Sequence, residues 1–249
     1  MRAIKRALRR GITRPAGQKI DQWRKNVLNV SPSWAHRPLN LTIDYLDMIF
    51  VDHGIFRIFY ANRHQISDGV WRASQPWPHQ VRYYAKKGIR TIVNLRGVRN
   101  CGSYRLEVDA CKKHGVRLVD FKLRSREAPQ REMIERFEEF FNDLDYPILI
   151  HCKSGADRAG LASALFLFLN KHASLRSSQR QLHFRFGHFR HAETGILDHF
   201  FDQYSKYDKA NPTSFHEWVD RVYDPEDLKS TFRSGYWPNL LVNKILRRE

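Results

Sequence analysis

Residues 91–169 alternate between two hydrophobic patterns. Short apolar or β-branched runs predict strands, and longer segments with apolar residues three or four apart predict helices. The predicted strands are Thr91–Leu95, Val116–Phe121 and Pro147–His151, and the predicted helices are Tyr104–His114, Gln130–Leu144 and Ala159–Leu169. Because such an alternation needs crossover connections, it predicts an α/β fold with a largely parallel central sheet flanked by helices.

The flanking segments complete the predicted domain. Before the alternating region, Phe56–Tyr60 and Val70–Ala73 are predicted strands with a turn at Asp68–Gly69, and Pro78–Lys87 is a predicted helix that ends at Gly88. The polar run Ser31–Pro38 predicts a linker. The predicted C-terminal helices are Ser177–Phe186, Glu193–Tyr207, Ser214–Val222 and Leu240–Leu246. We therefore expect a basic extension and linker over residues 1–40, and one domain over residues 41–249 with extra helices from about residue 190.

Positive charge is concentrated at the start of the chain. The 249 residues carry a formal net charge of +17, and residues 1–40 hold ten Lys or Arg against one acid, which gives 10 − 1 = +9. Ile4, Leu8 and Ile12 recur every four residues there and predict a short basic amphipathic helix. Its role stays open among a contact with an acidic membrane, an organellar transit peptide and a solvated tail. Charged residues interrupt the apolar stretch Tyr45–Tyr60, which argues against a membrane span.

The composition limits the partners and the compartment. A basic chain favours anionic partners such as phosphorylated proteins, acidic phospholipids or nucleic acid. No nucleic-acid motif accompanies the charge, and aromatic residues are not interleaved with the basic run, so we expect no nucleic-acid partner. Three cysteines are too few for a disulfide framework, which favours a reducing, cytoplasmic location. The basic N-terminus leaves peripheral membrane contact and organellar import open.

The loop after the third predicted strand carries the chemistry. In an open α/β sheet, ligands bind beyond the carboxyl ends of the strands, and here Cys152 and Arg158 are separated by five residues. The helix dipole, the loop N–H groups and the Arg158 guanidinium all favour the thiolate of Cys152, which is the nucleophilic form. The same loop can bind the oxygens of a phosphate, and Arg158 can hold two of them. The predicted phosphate-binding residues are Lys153, Ser154, Gly155, Ala156, Asp157 and Arg158.

This pattern predicts thiolate attack on phosphorus without a metal or cofactor. A phosphocysteine forms, the alcohol or phenol leaves, and water hydrolyses the intermediate. His183, His188 and His191 are close in sequence, but the interleaved Arg185 and Arg190 would repel a cation. We therefore expect no metal site there, and we expect these histidines to face substrate or solvent.

The loop resembles the His-Cys-x5-Arg signature of the cysteine-dependent protein tyrosine phosphatases, in particular their compact dual-specificity branch. The signature covers His151–Arg158, and the segment Trp71–Pro76 resembles the "R-S-x-Q-P" strand of such domains. The resemblance implies a phosphatase acting on phosphotyrosine, phosphoserine or phosphothreonine, with Cys152 as nucleophile and His151 as an orienting residue. The basic N-terminus leaves a phosphoinositide or other phospholipid substrate open.

Two features of the loop leave alternatives. The resemblance implies an Asp general acid about thirty residues before the cysteine, which is Asp120, whereas a likeness to myotubularin-type lipid phosphatases favours Asp157. Most family members carry Ser or Thr after the signature Arg, where the hydroxyl bonds to the thiolate, but this chain has Ala159. Turnover could then be slow, Ser154 could substitute, or the protein could be a phosphate-binding pseudophosphatase.

Two arginines after the first parallel strand complete the expected site. Arg96 and Arg99 fall at the same edge of the predicted sheet as Cys152. They could bind a second phosphate or an anionic headgroup, or they could be solvated charges.

Overall fold

A computed structural model describes residues 22, 24, 26, 29 and 32–232 of the chain. The predicted amphipathic helix at residues 1–12 and the predicted helix Leu240–Leu246 lie outside the described residues. Within the described part of the chain, no helix is both long enough and apolar enough to cross a bilayer.

The elements alternate along the chain. The strands are β1 (His64–Ser67), β2 (Val70–Ser74), β3 (Thr91–Asn94), β4 (Arg117–Asp120) and β5 (Ile148–Cys152). The helices are α1 (His36–Leu46), α2 (Phe56–Phe59), α3 (Pro78–Lys86), α4 (Gly102–His114), α5 (Arg131–Asn142), α6 (Asp157–Leu165), α7 (Leu175–Gln179), α8 (Ile196–Ala210) and α9 (Phe215–Arg221). Short 3₁₀ turns cover Ser33–Ala35, Phe184–Phe186 and Glu193–Gly195, and the wider π-helical turns Asp47–Val51 and Phe166–Asn170 follow α1 and α6.

The five strands form one sheet in the order β1-β2-β5-β3-β4. Strand β5 is central and runs parallel to both β2 and β3, whereas the edge strand β1 is antiparallel to β2. All five residues of β5 are buried, as the apolar run Ile148–Ile150 predicts for a strand covered on both faces. The predicted α/β fold with a largely parallel sheet is confirmed.

The described residues divide into two compact units. The larger unit contains residues 62–75, 91–97 and the described residues from 119 to 232. Its core joins the sheet to α5, α6 and the C-terminal helices, with fully buried side chains such as Ile150, Phe137 and Phe200. The chain after α6 therefore belongs to the hydrophobic core of this unit, which stabilises the sheet through apolar burial.

The smaller unit consists of the described residues up to 61, and of residues 76–90 and 98–118. It packs α1, α3 and α4 around a small cluster that includes Met48, Trp77 and Leu106. Asp52 forms a buried ion pair with Arg57 at 3.1 Å, and this pair holds the turn in which α2 lies.

Some sequence predictions are wrong, among them the helix predicted over Ser177–Phe186, where α7 covers only Leu175–Gln179. The aromatic run Phe56–Tyr60 was expected to be a strand, but residues 56–59 form one helical turn whose Arg57 N–H donates to the carbonyl of Gly54. The local β propensity of this run is overridden by the buried Arg57 ion pair. The strand before the Asp68–Gly69 turn is instead His64–Ser67, a polar edge strand. The linker predicted over Ser31–Pro38 is likewise interrupted, because α1 begins at His36.

Candidate active site

Cys152 is the last residue of the central strand. Its side chain is 2% exposed, and the loop from Lys153 to Ala156 leads directly into α6. Cys152 therefore lies at the carboxyl end of a parallel strand and beside the N-terminus of a helix. Backbone N–H groups are available at this position to an anion.

Arg72 holds one part of this loop from behind. Its side chain is fully buried, and Nη2 donates to the carbonyl oxygens of Gly155 (2.6 Å) and Ala156 (2.9 Å). Nη1 donates to the backbone oxygen and to Oε1 of Gln181, and the guanidinium lies 4.1 Å from the ring centroid of Phe186. A buried arginine with this many acceptors fixes the orientation of two consecutive peptide groups.

The preceding two peptide groups are held in the same way. Asn62 donates from Nδ2 to the carbonyl of Ser154 (2.9 Å), and the N–H of Gln75 donates to the carbonyl of Lys153 (3.4 Å). In a trans peptide the C=O and N–H point in opposite directions. The N–H groups of residues 154–157 are therefore directed away from these supports, in the arrangement of an anion-binding nest.

Gly155 allows the loop to approach β2. Its φ is +72°, in the left-handed region, and an added Cβ would lie 2.6 Å from the backbone carbon of Ala73. A side chain at this position would both strain the backbone and overlap an atom that cannot move aside.

The loop side chains differ in exposure. Ser154 is exposed, Lys153 and Arg158 are half-buried, and Ala156 and Ala159 are buried. Among the described residues, the Arg158 side chain makes no hydrogen bond or ion pair with protein groups. Its guanidinium is thus available to a bound anion, to which it can donate two parallel hydrogen bonds.

Asp120 is connected to the centre of the sheet through one amide. Its Oδ1 accepts a hydrogen bond from Nδ2 of Asn94 at 2.7 Å, and Asn94 is buried at the end of β3 in register with His151. Oδ1 of Asn94 accepts the backbone N–H of Arg96. His151 is itself fully buried, and its Nδ1 lies 3.4 Å from the carbonyl oxygen of Cys152.

Asp157 belongs to a different network. Its Oδ1 lies 2.8 Å from Nδ1 of His188, and Nε2 of the same ring lies 2.7 Å from Oδ2 of Asp198. Burial disfavours the imidazolium, but the hydrogen bonds and charges of the two carboxylates outweigh burial and raise the pKa of His188 to about 9. His188 is therefore a buried cation at neutral pH, and it ties the first residue of α6 to α8.

The positions of two predicted groups differ from expectation. His188 was expected to face substrate or solvent, but its side chain is completely buried. Of the two arginines considered for a second phosphate, Arg96 is 5% exposed and hydrogen-bonded to Oε1 of Gln75, whereas Arg99 is exposed. The supporting residues Asn62, Asn94 and Asp198 had no predicted role. Only Asn94 carried a sequence signal for such a role, because it is a polar residue at the end of a predicted strand.

One family model and several solved structures are similar to this chain. The family model described as "DSP-PTPase phosphatase fused to NAD+ kinase" matches residues 61–194, more than half of the chain. No curated protein matches. Among solved structures, TpbA of P. aeruginosa is 16% identical, with a TM-score of 0.47 and a match over 57% of this chain and 84% of that chain. The core catalytic domain of the PP-IP phosphatase SIW14 from S. cerevisiae, in complex with citrate, is 18% identical, with a TM-score of 0.45 and coverages of 61% and 93%.

Proposed function

The chain belongs to the family of the DSP-PTPase phosphatase fused to NAD+ kinase, and from this membership we propose that it is a metal-independent cysteine phosphatase. The observation that carries the proposal is the loop beside Cys152, in which four successive carbonyls are held from behind so that the N–H groups of residues 154–157 point the other way. Fixed donors of this kind stabilise the charge of a transferring phosphoryl group without reorganising during the reaction.

The proposed reaction has two steps. The Cys152 thiolate attacks phosphorus while the bond from phosphorus to the substrate oxygen breaks and a general acid protonates that oxygen. Water then attacks the phosphocysteine, the same carboxylate accepts a proton from the water, and the P–S bond breaks with its electron pair returning to sulfur. Arg158 and the loop N–H groups hold the phosphoryl oxygens in both steps.

We assign the general acid to Asp120. Asp157 is engaged with a buried imidazolium cation, whereas Asp120 accepts a hydrogen bond from the neutral amide of Asn94. The Asp157 carboxylate is committed to this contact, because protonating it would remove one of the two charges that hold the buried His188 imidazolium. Asp157 then serves as a positioning residue for the start of α6.

The family description supports a proposal for the substrate. Because the matching family model is named for a DSP-PTPase phosphatase, we propose phosphotyrosine, with phosphoserine and phosphothreonine, as the substrate class. A second candidate is a phosphoinositide at an acidic membrane. It is favoured by cations at the sheet edge, because Lys153 follows Cys152 directly and the side chain of Lys122 lies against Gly97.

The test is phosphate release with a chelator present, comparing the protein with the Cys152→Ser variant. The substrates are an aryl phosphate, a phosphotyrosine peptide and phosphoinositide vesicles. We expect release that persists with the chelator and is lost in the variant, with the peptide preferred. Preference for the vesicles would support the lipid candidate. Phosphate binding without release from any substrate would overturn the proposal in favour of a pseudophosphatase.

Membrane attachment is tested separately, on the full chain. We expect sedimentation with acidic vesicles to be lost when Lys5, Arg6, Arg9 and Arg10 are replaced by Gln, because each basic residue near an acidic bilayer contributes about 1 kcal/mol of attraction. Unchanged sedimentation would rule out the N-terminal contact.

A further inference from the structure

The proposed reaction leaves one requirement unassigned. A thiolate buried at the end of β5 needs hydrogen-bond donors, and the position after Arg158, where the resemblance implies a hydroxyl, holds the buried Ala159. Ser154 was one of the open alternatives for this role, but its side chain is exposed. A hydroxyl outside the signature loop is therefore needed as a hydrogen-bond donor to the sulfur.

Ser74 occupies the neighbouring position on the adjacent strand. Strands β2 and β5 are parallel, and Ser74 is the direct register partner of Cys152. Side chains of register partners point to the same face of a sheet, and neighbouring strands lie about 4.8 Å apart. The Ser74 hydroxyl and the Cys152 sulfur therefore share one face of the sheet, next to the loop backbone that contacts β2 at Ala73.

The Ser74 hydroxyl is also an unused donor. The residue is 2% exposed, and among the described residues its Oγ has no hydrogen-bond partner. Buried hydroxyl groups are nearly always hydrogen-bonded, because leaving one unsatisfied is costly. Rotation about a single χ1 angle moves this hydroxyl across the face that it shares with Cys152.

We propose that the Ser74 hydroxyl donates a hydrogen bond to the Cys152 thiolate and supplies the function absent at Ala159. This inference rests on the proposed cysteine mechanism and deepens it. In the second step, when the P–S bond breaks and its electron pair returns to sulfur, the Ser74 O–H donates to the sulfur and keeps its own proton. Ser74 is then a catalytic residue that lies outside the signature loop.

The charges around the sulfur are unaffected by a change at Ser74. Lys153, Asp157 and Arg158 come from the loop, and Arg72 lies on the same strand as Ser74. His151 precedes Cys152 on β5, and Asn94 on the neighbouring strand β3 connects His151's register position to Asp120. A Ser→Ala change leaves all of these groups in place, so its effect isolates the hydroxyl.

The experiment measures the alkylation rate of Cys152 by iodoacetamide as a function of pH. Mass spectrometry follows the Cys152 peptide, which separates it from Cys101 and Cys111. Ser74→Ala is compared with the unaltered protein and with Ser67→Ala, a matched control in which a buried hydroxyl without a partner among the described residues is removed from the edge strand β1. A second variant lacking the hydroxyl, Ser74→Gly, is used if Ser74→Ala does not fold.

We expect the midpoint of the alkylation profile to rise by about one pH unit in Ser74→Ala, a tenfold change in thiol ionisation. It should stay unchanged in Ser67→Ala and return toward its original value in the double variant Ser74→Ala/Ala159→Ser. The phosphocysteine intermediate should also persist longer in Ser74→Ala.

An unchanged midpoint in a folded Ser74 variant would overturn the inference. Because alkylation needs no phosphate ester, this result is distinguishable from failure of the proposed function. That failure would show as absent phosphate release from the unaltered protein, whatever the alkylation profile.

Discussion

Raising the pH through 9 should remove the charge that joins Asp157 to Asp198. His188 is completely buried between these two carboxylates, and its pKa is raised from the usual 6.5 to about 9. A folded-state pKa above the unfolded value means that the folded protein holds this proton more tightly. The resulting stabilisation is complete below about pH 6.5 and is lost as the pH rises through about 9.

The size of the effect follows from the shift. A difference of about 2.5 pH units at about 1.36 kcal/mol per unit amounts to about 3 kcal/mol of unfolding free energy. This is a large fraction of the stability of an ordinary domain, for which the free energy of unfolding is about 5–15 kcal/mol. The loss should therefore be easy to measure.

The assay is urea unfolding at several pH values between about 6 and 9.5, on the protein and on His188→Asn. Subtracting the variant's free energy of unfolding from that of the unaltered protein at each pH removes the contribution of groups that the variant leaves untouched. We expect the stability advantage of the unaltered protein over the variant to shrink by about 3 kcal/mol across this range. A difference that stays constant with pH would refute the assignment of His188 as a buried cation.

Three further predictions concern the loop and the acid. Asp120→Asn should lower kcat about 100-fold for a phosphoserine peptide, since general acid catalysis contributes about 10²–10⁴-fold, and should do so more than Asp157→Asn; a larger loss in Asp157→Asn would reassign the acid. Gly155→Ala should lower both Tm and kcat, measured by calorimetry and phosphate release, because its Cβ would lie 2.6 Å from the backbone of Ala73 at a φ of +72°. An unimpaired Gly155→Ala would show that the loop is not held against β2. Arg72→Lys should weaken inorganic phosphate binding about tenfold in calorimetric titration, since an ammonium group cannot hold two peptide carbonyls and Gln181 together, and equal affinity would argue against the support from Arg72.

The sequence predicted the sheet and the loop better than the groups that support the loop. The period-two and continuous apolar runs located β3, β4 and β5 to within two residues, because burial alone determines such patterns. The helical turn at Phe56–Phe59 could not be predicted, since it depends on the ion pair between Asp52 and Arg57 within the smaller unit. The burial of His188 could not be predicted either, because its two carboxylate partners are 31 and 10 residues away along the chain.

Hydrogen bonds from residues distant in sequence orient the backbone of the signature loop. Asn62, Arg72 and Gln75 donate hydrogen bonds to the carbonyl oxygens of Lys153–Ala156. Because these carbonyls are held on one side, the N–H groups of the loop are directed toward the other side. Asp157 is held by His188, which in turn depends on α8. A peptide with the signature alone would lose all of these contacts, and its N–H groups would be free to bond with water. The proposed phosphate binding therefore requires the folded larger unit, and variants at the supporting positions should impair it even though none of them belongs to the signature.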